Sequence, residues 1–173
     1  MIKKLKELIL SPQKLFTTID SEINLKESLV FAILFGSLGL AFELFYAILW
    51  PSKFILLAFG EKYKTILLLL IIFSPLIIVI NTLLYSGLYY IFLWIAGARK
   101  GIKKIFQVIC YSSGIYILNI VPFIGTIVSG IWIVILIIIG SKRNQEISYI
   151  QAIGAFLAMI ILLVIATIVL KIY

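Results

Sequence analysis

Residues 106–140 form an apolar stretch that contains no Asp, Glu, Lys or Arg. As one α-helix this stretch would be roughly 50 Å long, whereas the hydrocarbon core of a bilayer is only about 30 Å thick. The stretch therefore has to fold back on itself. Pro122 and Gly125 mark the place, because proline cannot donate to a helix and glycine accepts the backbone angles of a tight turn. We predict two membrane segments, 106–121 and 126–140, joined by this turn.

The composition places the rest of the chain in the membrane as well. The chain has 173 residues, of which 64% are hydrophobic and only 13% are charged. A soluble domain of this size has too little interior to hide so much apolar surface. The apolar runs are continuous rather than alternating, which excludes a transmembrane β-barrel. The predicted fold class is all-α, a polytopic helical membrane bundle that forms a single domain over residues 1–173.

The lengths of the apolar runs and the breaks between them predict five transmembrane segments. They are residues 28–50, 65–97, 106–121, 126–140 and 149–170. Capping boxes open the first and the last of them, at Asn24-x-x-Glu27 and Ser148-x-x-Gln151. The two middle segments are short, at about 24 Å each. They either cross a locally thinned bilayer or form a pair that stops short of the far surface.

The second segment, 65–97, is again roughly 50 Å long and is interrupted by Ser74-Pro75. It forms either one kinked helix or two short spans with a turn at Pro75. We favour one kinked helix, because it leaves the basic loop after the segment on the same side as the lysine-rich N-terminus, as the positive-inside rule requires. Kinked prolines are also tolerated in membrane helices.

The first 23 residues alternate apolar and charged side chains at helical spacing. Ile2, Leu5 and Leu8 recur along one face, with lysines between them. Ser11-Pro12 then reads as an N-cap followed by proline at the first helical position. We predict two short amphipathic helices that lie in the membrane interface over residues 1–23, with an ordinary charged tail as the alternative.

The net charge of +8 comes from basic residues that flank the apolar runs. This placement favours orientation in the membrane and contact with anionic headgroups over binding of nucleic acid. It predicts a cytoplasmic N-terminus and an external C-terminus, and the abundance of Ile and Lys points to a prokaryotic inner membrane. The densest basic cluster is a candidate contact for anionic lipid or a partner, or only a topology signal: Arg99, Lys100, Lys103 and Lys104.

Glu43 is the one charged residue deep in an apolar run. An intramembrane carboxylate is costly and is a functional candidate by default, as a cation ligand or a carrier of protons. The alternative is a carboxylate that reaches the outer interface or pairs with a lysine such as Lys53.

Polar side chains follow one face of each of two consecutive membrane segments. On the second segment they are Asn81, Tyr85 and Tyr89. On the third segment they are Ser112, Tyr116 and Asn119. If these faces meet, they form a polar seam within the bundle. Such a seam would line a solute path or a headgroup pocket, or would hold the helices together through hydrogen bonds.

The order of small and aromatic residues in the second half of the chain follows a known pattern. A span closed by glycine precedes a basic loop, a phenylalanine, an aromatic–serine pair, a Pro-x-x-Gly turn, an aromatic residue, a second glycine and an Ile-Ser-x-x-x-Ala helix start. These positions are Gly97, Phe106, Tyr111-Ser112, Pro122-x-x-Gly125, Trp132, Gly140, Ile147-Ser148 and Ala152. With Ser11-Pro12-x-x-x-Phe16 near the start, this order resembles the Yip1 domain family.

The resemblance implies a five-span architecture without catalytic residues. The eukaryotic members carry a long cytosolic N-terminal region and are associated with Rab GTPases and vesicle traffic, whereas this chain is more similar to the shorter bacterial and archaeal members. The chain departs from the pattern at Tyr89 and Tyr90, where many relatives have a histidine, and at Ser113-Gly114, where many have a proline. Rab binding is not carried over from the eukaryotic members, because the chain is more similar to the shorter ones.

Motifs of enzymes are absent from the sequence. There is no histidine, and the single cysteine, Cys110, lies in an apolar run. We predict no catalytic residues, no metal and no cofactor. The expected function is association with lipids, with a second copy or with other membrane proteins, in a role such as membrane organisation or trafficking. The alternative is a transporter or channel for a small solute, an ion or a lipid that uses Glu43 and the polar seam.

Overall fold

The computed structural model describes residues 1–20 and 23–172, and within them the chain is helical and has no strand. The α-helices are α1 (Ile2–Leu10), α2 (Pro12–Asp20), α3 (Leu25–Phe31), α4 (Ser37–Leu49), α5 (Lys53–Phe59), α6 (Tyr63–Ile72), α7 (Ser74–Ile95), α8 (Ile102–Ser113), α9 (Ile124–Gln145) and α10 (Tyr149–Ile172). The predicted all-α class is confirmed.

Four helices of the described chain are long and apolar enough to cross a membrane. They are Leu25–Leu49, Ser74–Ile95, Ile124–Gln145 and Tyr149–Val169. The first combines α3 and α4 through one wide π-helical turn, Ala32–Gly36. It begins where the side chain of Asn24 accepts a hydrogen bond from the backbone N–H of Glu27 at 3.0 Å. The polytopic bundle is therefore present, whereas the predicted count of five spans is not confirmed.

The predicted segment 106–121 is the one that is missing from these four helices. It is divided between α8, which begins earlier than predicted and carries Lys103 and Lys104 in its first turn, and a 3-10 helix over Gly114–Ile120. Together the two helices are about 32 Å long, because a 3-10 helix rises about 2.0 Å per residue against 1.5 Å in an α-helix. Length does not separate this segment from the four spans; it carries more polar residues than they do, among them Lys103, Lys104 and Gln107, and it changes helix type at Gly114.

The predicted segment 65–97 is divided into α6 and α7 by one residue, Phe73. Hydrogen bonds continue through the break, since the N–H of Phe73 donates to Leu69 O at 2.9 Å and its carbonyl accepts from Ile77 at 3.0 Å. Pro75 fits because it lies in the first turn of α7, where a helix needs no donor. The segment is a helical path interrupted at Phe73, and within it Ser74–Ile95 is the candidate span.

The segment formed by α8 and the 3-10 helix is the centre of the bundle. It packs against α3, α4, α7 and α9, and side chains along it are fully buried, including Ile105, Val108, Tyr111 and Ile115. Most of the exposed apolar side chains of the bundle's surface lie on the other helices, such as Ile95 on α7 and Ile131 on α9.

The chain folds back at Pro122, but the turn residues have roles that differ from those we predicted. The N–H of Ile124 donates to Pro122 O at 2.7 Å, and Phe123 between them has φ 63° and ψ −61°. This geometry is a γ-turn with its strained positive φ on a non-glycine residue. Gly125 does not supply the left-handed angle. It lets α9 approach the 3-10 helix, since an added Cβ would lie 2.0 Å from Leu118 O.

Helix α9 continues past the predicted end of its segment at residue 140. Gly140 does not end the helix but lies against α8 and α2, where a Cβ would be 2.6 Å from a methyl carbon of Val108 and 3.0 Å from the Phe16 ring. The last helix, α10, begins with the predicted capping box. The N–H of Ser148 donates to Gln151 Oε1 at 2.8 Å, and the N–H of Gln151 donates to Ser148 Oγ at 3.2 Å.

The two N-terminal amphipathic helices are present as α1 and α2, but their apolar faces are buried in the bundle. Leu8, Leu15 and Phe16 are fully buried and form one core cluster with residues of α3, α8 and α9. Trp132 Nε1 donates to the carbonyl of Leu8 at 3.4 Å. Part of the apolar stripe that we assigned to the interface, Leu8 above all, therefore contacts protein, whereas Ile2 is 79% exposed. Residues 21 and 22 of the predicted region 1–23 lie outside the described residues.

Candidate functional site

Glu43 is held by a chain of hydrogen bonds that joins three elements of the bundle. Asn119 Nδ2 donates to Glu43 Oε2 at 2.9 Å, and Ser129 Oγ donates to Asn119 Oδ1 at 2.6 Å. Asn119 and Ser129 are each 1% exposed, whereas Glu43 is partly buried. The carboxylate therefore has a neutral amide as its partner, and no ion pair to Lys53 is present among the described residues.

Close packing of α4 on the 3-10 helix brings Glu43 to Asn119. Gly39 lies one turn before Glu43, and a Cβ there would be 1.9 Å from the carbonyl oxygen of Tyr116. On the other side of Glu43, the hydroxyl of Tyr46 donates to Ile120 O at 2.7 Å. The absence of a side chain at Gly39 thus sets the approach of the two backbones, which places the carboxylate opposite the amide.

A shallow cavity of about 350 Å³ opens beside Glu43, next to the γ-turn. The carboxylate and the hydroxyl-bearing side chains of Tyr46 and Thr126 are its polar groups. The complete lining is Glu43, Tyr46, Ala47, Trp50, Pro122, Phe123, Thr126 and Ile127. A small cation or a proton reaching Glu43 through this cavity would meet one carboxylate between aromatic walls.

A second cavity, of about 300 Å³, lies between α7, α8, the 3-10 helix, α9 and α10. It brings together four of the six seam residues: Asn81, Tyr85, Tyr89 and Tyr116. The remaining two seam residues lie elsewhere. Asn119 binds Glu43, and the hydroxyl of Ser112 is buried without a hydrogen-bond partner among the described residues. The seam that we predicted as one surface is therefore divided between two sites.

Apolar side chains form most of the wall of this second cavity. They are Ile78, Ile109, Ile133, Ile137, Phe156, Met159 and Ile160. Tyr89 is fully buried, and its hydroxyl donates to Ala152 O at 3.2 Å. Asn81, Tyr85 and Ile160 are exposed, so the cavity opens sideways between α7 and α10. An elongated apolar molecule with a polar group near one end matches such a lining.

The predicted basic cluster is only partly available to a ligand. Lys100 forms an ion pair with Glu146, and Arg99 Nη1 donates to the carbonyl oxygens of Trp94 and Ala98 at 3.2 and 3.1 Å. These contacts hold the α7–α8 loop in place. Lys103 is exposed and Lys104 partly buried in the first turn of α8.

Gln145, which the sequence did not single out, joins the two loops at this end of the bundle. Its Oε1 accepts from the N–H of Lys100 at 3.0 Å, and its Nε2 donates to Gly101 O at 3.0 Å. A glutamine at the end of an apolar helix is usually a solvated residue. The sequence therefore did not mark Gln145 as a contact between loops.

The family model of the Yip1 domain matches residues 6–170. The chain belongs to the Yip1 domain family. Comparison with curated proteins and with solved structures found no match. The matched range contains both cavities and all residues of the Glu43 chain, so each of these features lies within the Yip1 domain.

Residues that carried the resemblance to the Yip1 family meet in space. Phe16 of α2 lies against Gly140 of α9, although they are far apart in the sequence. Trp132 of α9 donates to α1, as described above, and Pro122 and Gly125 shape the turn that pairs α8 with α9. The N-terminal Ser-Pro motif and the central pattern therefore describe one packing arrangement, in which α1 and α2 are part of the Yip1 domain.

Within residues 1–20 and 23–172, no group of three metal-ligating side chains is close enough to hold an ion. The chemistry of the two cavities is limited to hydrogen bonding, apolar contact and the single carboxylate of Glu43. Ser129, Gly39 and Gln145 are the residues that sequence reasoning missed.

Proposed function

We propose that this integral membrane protein of the Yip1 family acts without catalysis, by binding a membrane lipid in the cavity between α7 and α10. The observation that carries the proposal is the lining of that cavity. Its walls are mostly Ile, Phe and Met side chains, and its polar side chains are an amide, two hydroxyls and three tyrosines: Asn81, Thr82, Ser113, Tyr85, Tyr89 and Tyr116. Ligand sites have this composition of apolar walls with a few polar groups.

The lateral opening favours a lipid over a water-soluble ligand. The outer surfaces of α7 and α10 carry exposed apolar side chains on both sides of the opening, among them Leu84 and Ile161. In a bilayer these surfaces face acyl chains, so an acyl chain reaches the cavity without crossing water. Tyrosine suits such a site because its ring is apolar and its hydroxyl bonds to a headgroup or ester oxygen.

The test introduces a larger side chain into the cavity and measures how much lipid stays bound to the protein. Protein would be extracted in native-lipid particles, and lipid retained per chain would be measured by native mass spectrometry for the wild type, Ile160→Trp and Ile161→Trp. Ile160 lines the cavity, whereas Ile161 beside it is exposed and does not. We expect Ile160→Trp to lose the retained lipid and Ile161→Trp to keep it. Equal retention in the two variants would contradict the proposal.

A second candidate function is passage of a proton or a small cation along Glu43. It is favoured by the hydrogen-bonded chain of Glu43, Asn119 and Ser129 beside an open cavity. Glu43→Gln keeps an oxygen that accepts from Asn119 and removes only the charge. This candidate predicts that the variant abolishes proton or monovalent-cation flux into liposomes. If wild-type protein and empty liposomes have the same flux, the candidate is wrong.

We further infer that the basic end of the bundle faces the cytoplasm of a prokaryotic cell, with the C-terminus outside. The basic residues of the α7–α8 and α9–α10 loops support this orientation through the positive-inside rule. An external C-terminus requires that α8 and the 3-10 helix cross as a fifth span. A second copy of the chain or another membrane protein is the expected protein partner, and crosslinking in native membranes tests for it.

A further inference from the structure

We infer that a pocket between α2, the end of α9 and the start of α10 binds the phosphate group of an anionic phospholipid. The pocket has a volume of about 350 Å³ and is lined by Gln13, Thr17, Ile139, Lys142, Arg143 and Tyr149. This inference rests on the proposed association with lipids. It concerns other residues than the α7–α10 cavity, at the basic end of the molecule.

The charges of the pocket select an anion. Lys142 and Arg143 are the only charged residues in its lining, and both lie in the last turn of α9. Neither forms an ion pair within the described part of the chain, where the two ion pairs are Lys4–Glu27 and Lys100–Glu146. Two adjacent cations without a carboxylate partner leave a local positive charge that a phosphate neutralises.

The pocket is held open in a form that suits a phosphate. Lys142 Nζ lies 3.9 Å from the centre of the Tyr149 ring, so a cation–π contact positions the ammonium group. Gln13 contributes an exposed side-chain amide that makes no hydrogen bond to the described residues. Arginine adds a planar donor group that binds two phosphate oxygens at once. Side chains that carry an ammonium, a guanidinium and an amide thus line one pocket.

The surroundings of the pocket point to a lipid as the source of the phosphate. Ile139 forms part of the wall, and Ile150, next to Tyr149, is 83% exposed on the first turn of α10. Tyrosine is typical of the level at which headgroups and acyl chains meet. A phosphate in the pocket would therefore have its glycerol and acyl chains beside the apolar surface of α10, an arrangement that free phosphate cannot use.

The test compares two variants that remove the same charge from the same end of the molecule. Lys142→Gln/Arg143→Gln changes the pocket, and Lys6→Gln/Lys14→Gln changes two exposed lysines outside it. Affinity for phosphatidylglycerol would be measured in phosphatidylcholine nanodiscs by native mass spectrometry. We expect the pocket variant to bind phosphatidylglycerol at least about tenfold more weakly than the wild type and the control variant to change it by less than about threefold.

Further comparisons distinguish binding in this pocket from other sources of lipid binding. Gln13→Leu leaves the charge unchanged and should also weaken binding of phosphatidylglycerol, whereas lipid retained in the α7–α10 cavity should stay at the wild-type level in every variant. Equal weakening in the control variant would overturn the inference, because binding of phosphatidylglycerol would then depend on the overall positive charge and not on the pocket. If inorganic phosphate in phosphatidylcholine nanodiscs stabilises the protein as much as phosphatidylglycerol does, the lipid assignment is overturned.

Discussion

Single residues decide where backbones approach each other in this bundle. Gly39 allows α4 to contact the 3-10 helix, and Gly125 allows α9 to do the same from the other side. Helices in lipid gain little from the hydrophobic effect, so close packing and hydrogen bonds between them take its place. The hydrogen-bonded chain from Glu43 to Ser129 lies between these two contacts, and its geometry depends on both.

Gly125→Ala should destabilise the protein by roughly 1–3 kcal/mol, because the new methyl group would lie 2.0 Å from Leu118 O and the two backbones would have to separate. Gly130→Ala on the same helix is the control, since an added Cβ there meets nothing within 4 Å. Thermal unfolding in detergent measures both. A similar loss in the two variants would mean that helix flexibility, and not the contact, is responsible.

The N-terminal helices α1 and α2 show that sequence periodicity predicts an apolar face but not what that face contacts. The helical spacing of apolar residues predicted two amphipathic helices, and Leu8, Leu15 and Phe16 form buried apolar faces on them. Periodicity does not tell whether such a face meets lipid or protein, because both are apolar. The choice follows from α8 and α9, which offer Val108, Tyr111 and Trp132 as partners for α1 and α2.

Phe16→Ala should cost roughly 3–5 kcal/mol of stability, because the ring is 0% exposed and its removal leaves a cavity against α9. Leu10→Ala is the control, since Leu10 is 68% exposed. Chemical denaturation in detergent would measure both variants. If Phe16→Ala were as mild as the control, α2 would be lying in the membrane interface, as the sequence alone predicts.

Lys4 ties α1 to the start of α3 and should give the docking of α1 a pH dependence. Burial alone would lower the pKa of Lys4, but hydrogen bonds to Glu27 and Tyr111 raise it above its ordinary value of 10.5. The pKa is raised by folding, so this contribution to stability is complete below pH 10.5 and is lost as the pH rises through the folded-state pKa.

Thermal unfolding of the wild type and Lys4→Met between about pH 8 and 11.5 measures the effect. The wild type should be more stable at the lower pH, and the difference should shrink above the ordinary lysine pKa. Lys6→Met on the exposed side of α1 serves as the control. A difference that stays constant over this range would assign the role of Lys4 to packing of its alkyl chain.

The whole molecule is organised around the segment that is not one of the four long apolar helices. Segment α8 with its 3-10 helix has the most buried surroundings in the bundle, and this burial explains its small and polar residues, such as Ser112, Ser113 and Gly114. Neighbouring helices cover it, so it needs fewer large apolar side chains than a helix that faces lipid. Whether it crosses the membrane decides the side on which the C-terminus lies.

Single cysteines in a Cys110→Ser background test the crossing. Lys103→Cys, Phe123→Cys and Glu61→Cys place exposed labels at the start of α8, at the γ-turn and in the α5–α6 connection. A membrane-impermeant maleimide applied to intact cells should label positions 61 and 123, and position 103 only after lysis. Labelling of position 123 solely after lysis would mean that the hairpin does not cross.

Several features of the fold could be predicted because they depend on neighbours in the sequence. The caps at Asn24 and Ser148 and the fold-back at Pro122 follow from local backbone chemistry. The break before Pro75 also follows from local backbone chemistry, whereas the 3-10 helix does not. Nothing in its seven residues distinguishes it from a continuation of α8, and only contacts with α4 and α9 accompany the tighter winding.

The sequence identified individual residues of the candidate sites but not which of them lie together. Glu43 and Asn119 were each conspicuous as polar residues in apolar runs, yet the sequence assigned Asn119 to a seam with Tyr116 and left Glu43 alone. They are 76 residues apart, and their pairing depends on the approach of α4 at Gly39. Ser129, the third member, looked like one more small residue in a membrane helix.

By itself, the sequence determined that this chain is a helical membrane protein of the Yip1 type, where its capped helices α3 and α10 begin, and which side chains are costly in lipid. These properties follow from transfer free energy and from local hydrogen bonding. The tertiary structure decided which apolar faces meet protein, which polar groups share a cavity, and which cations remain unpaired. Such outcomes depend on contacts between distant segments, for which hydropathy and periodicity carry no information.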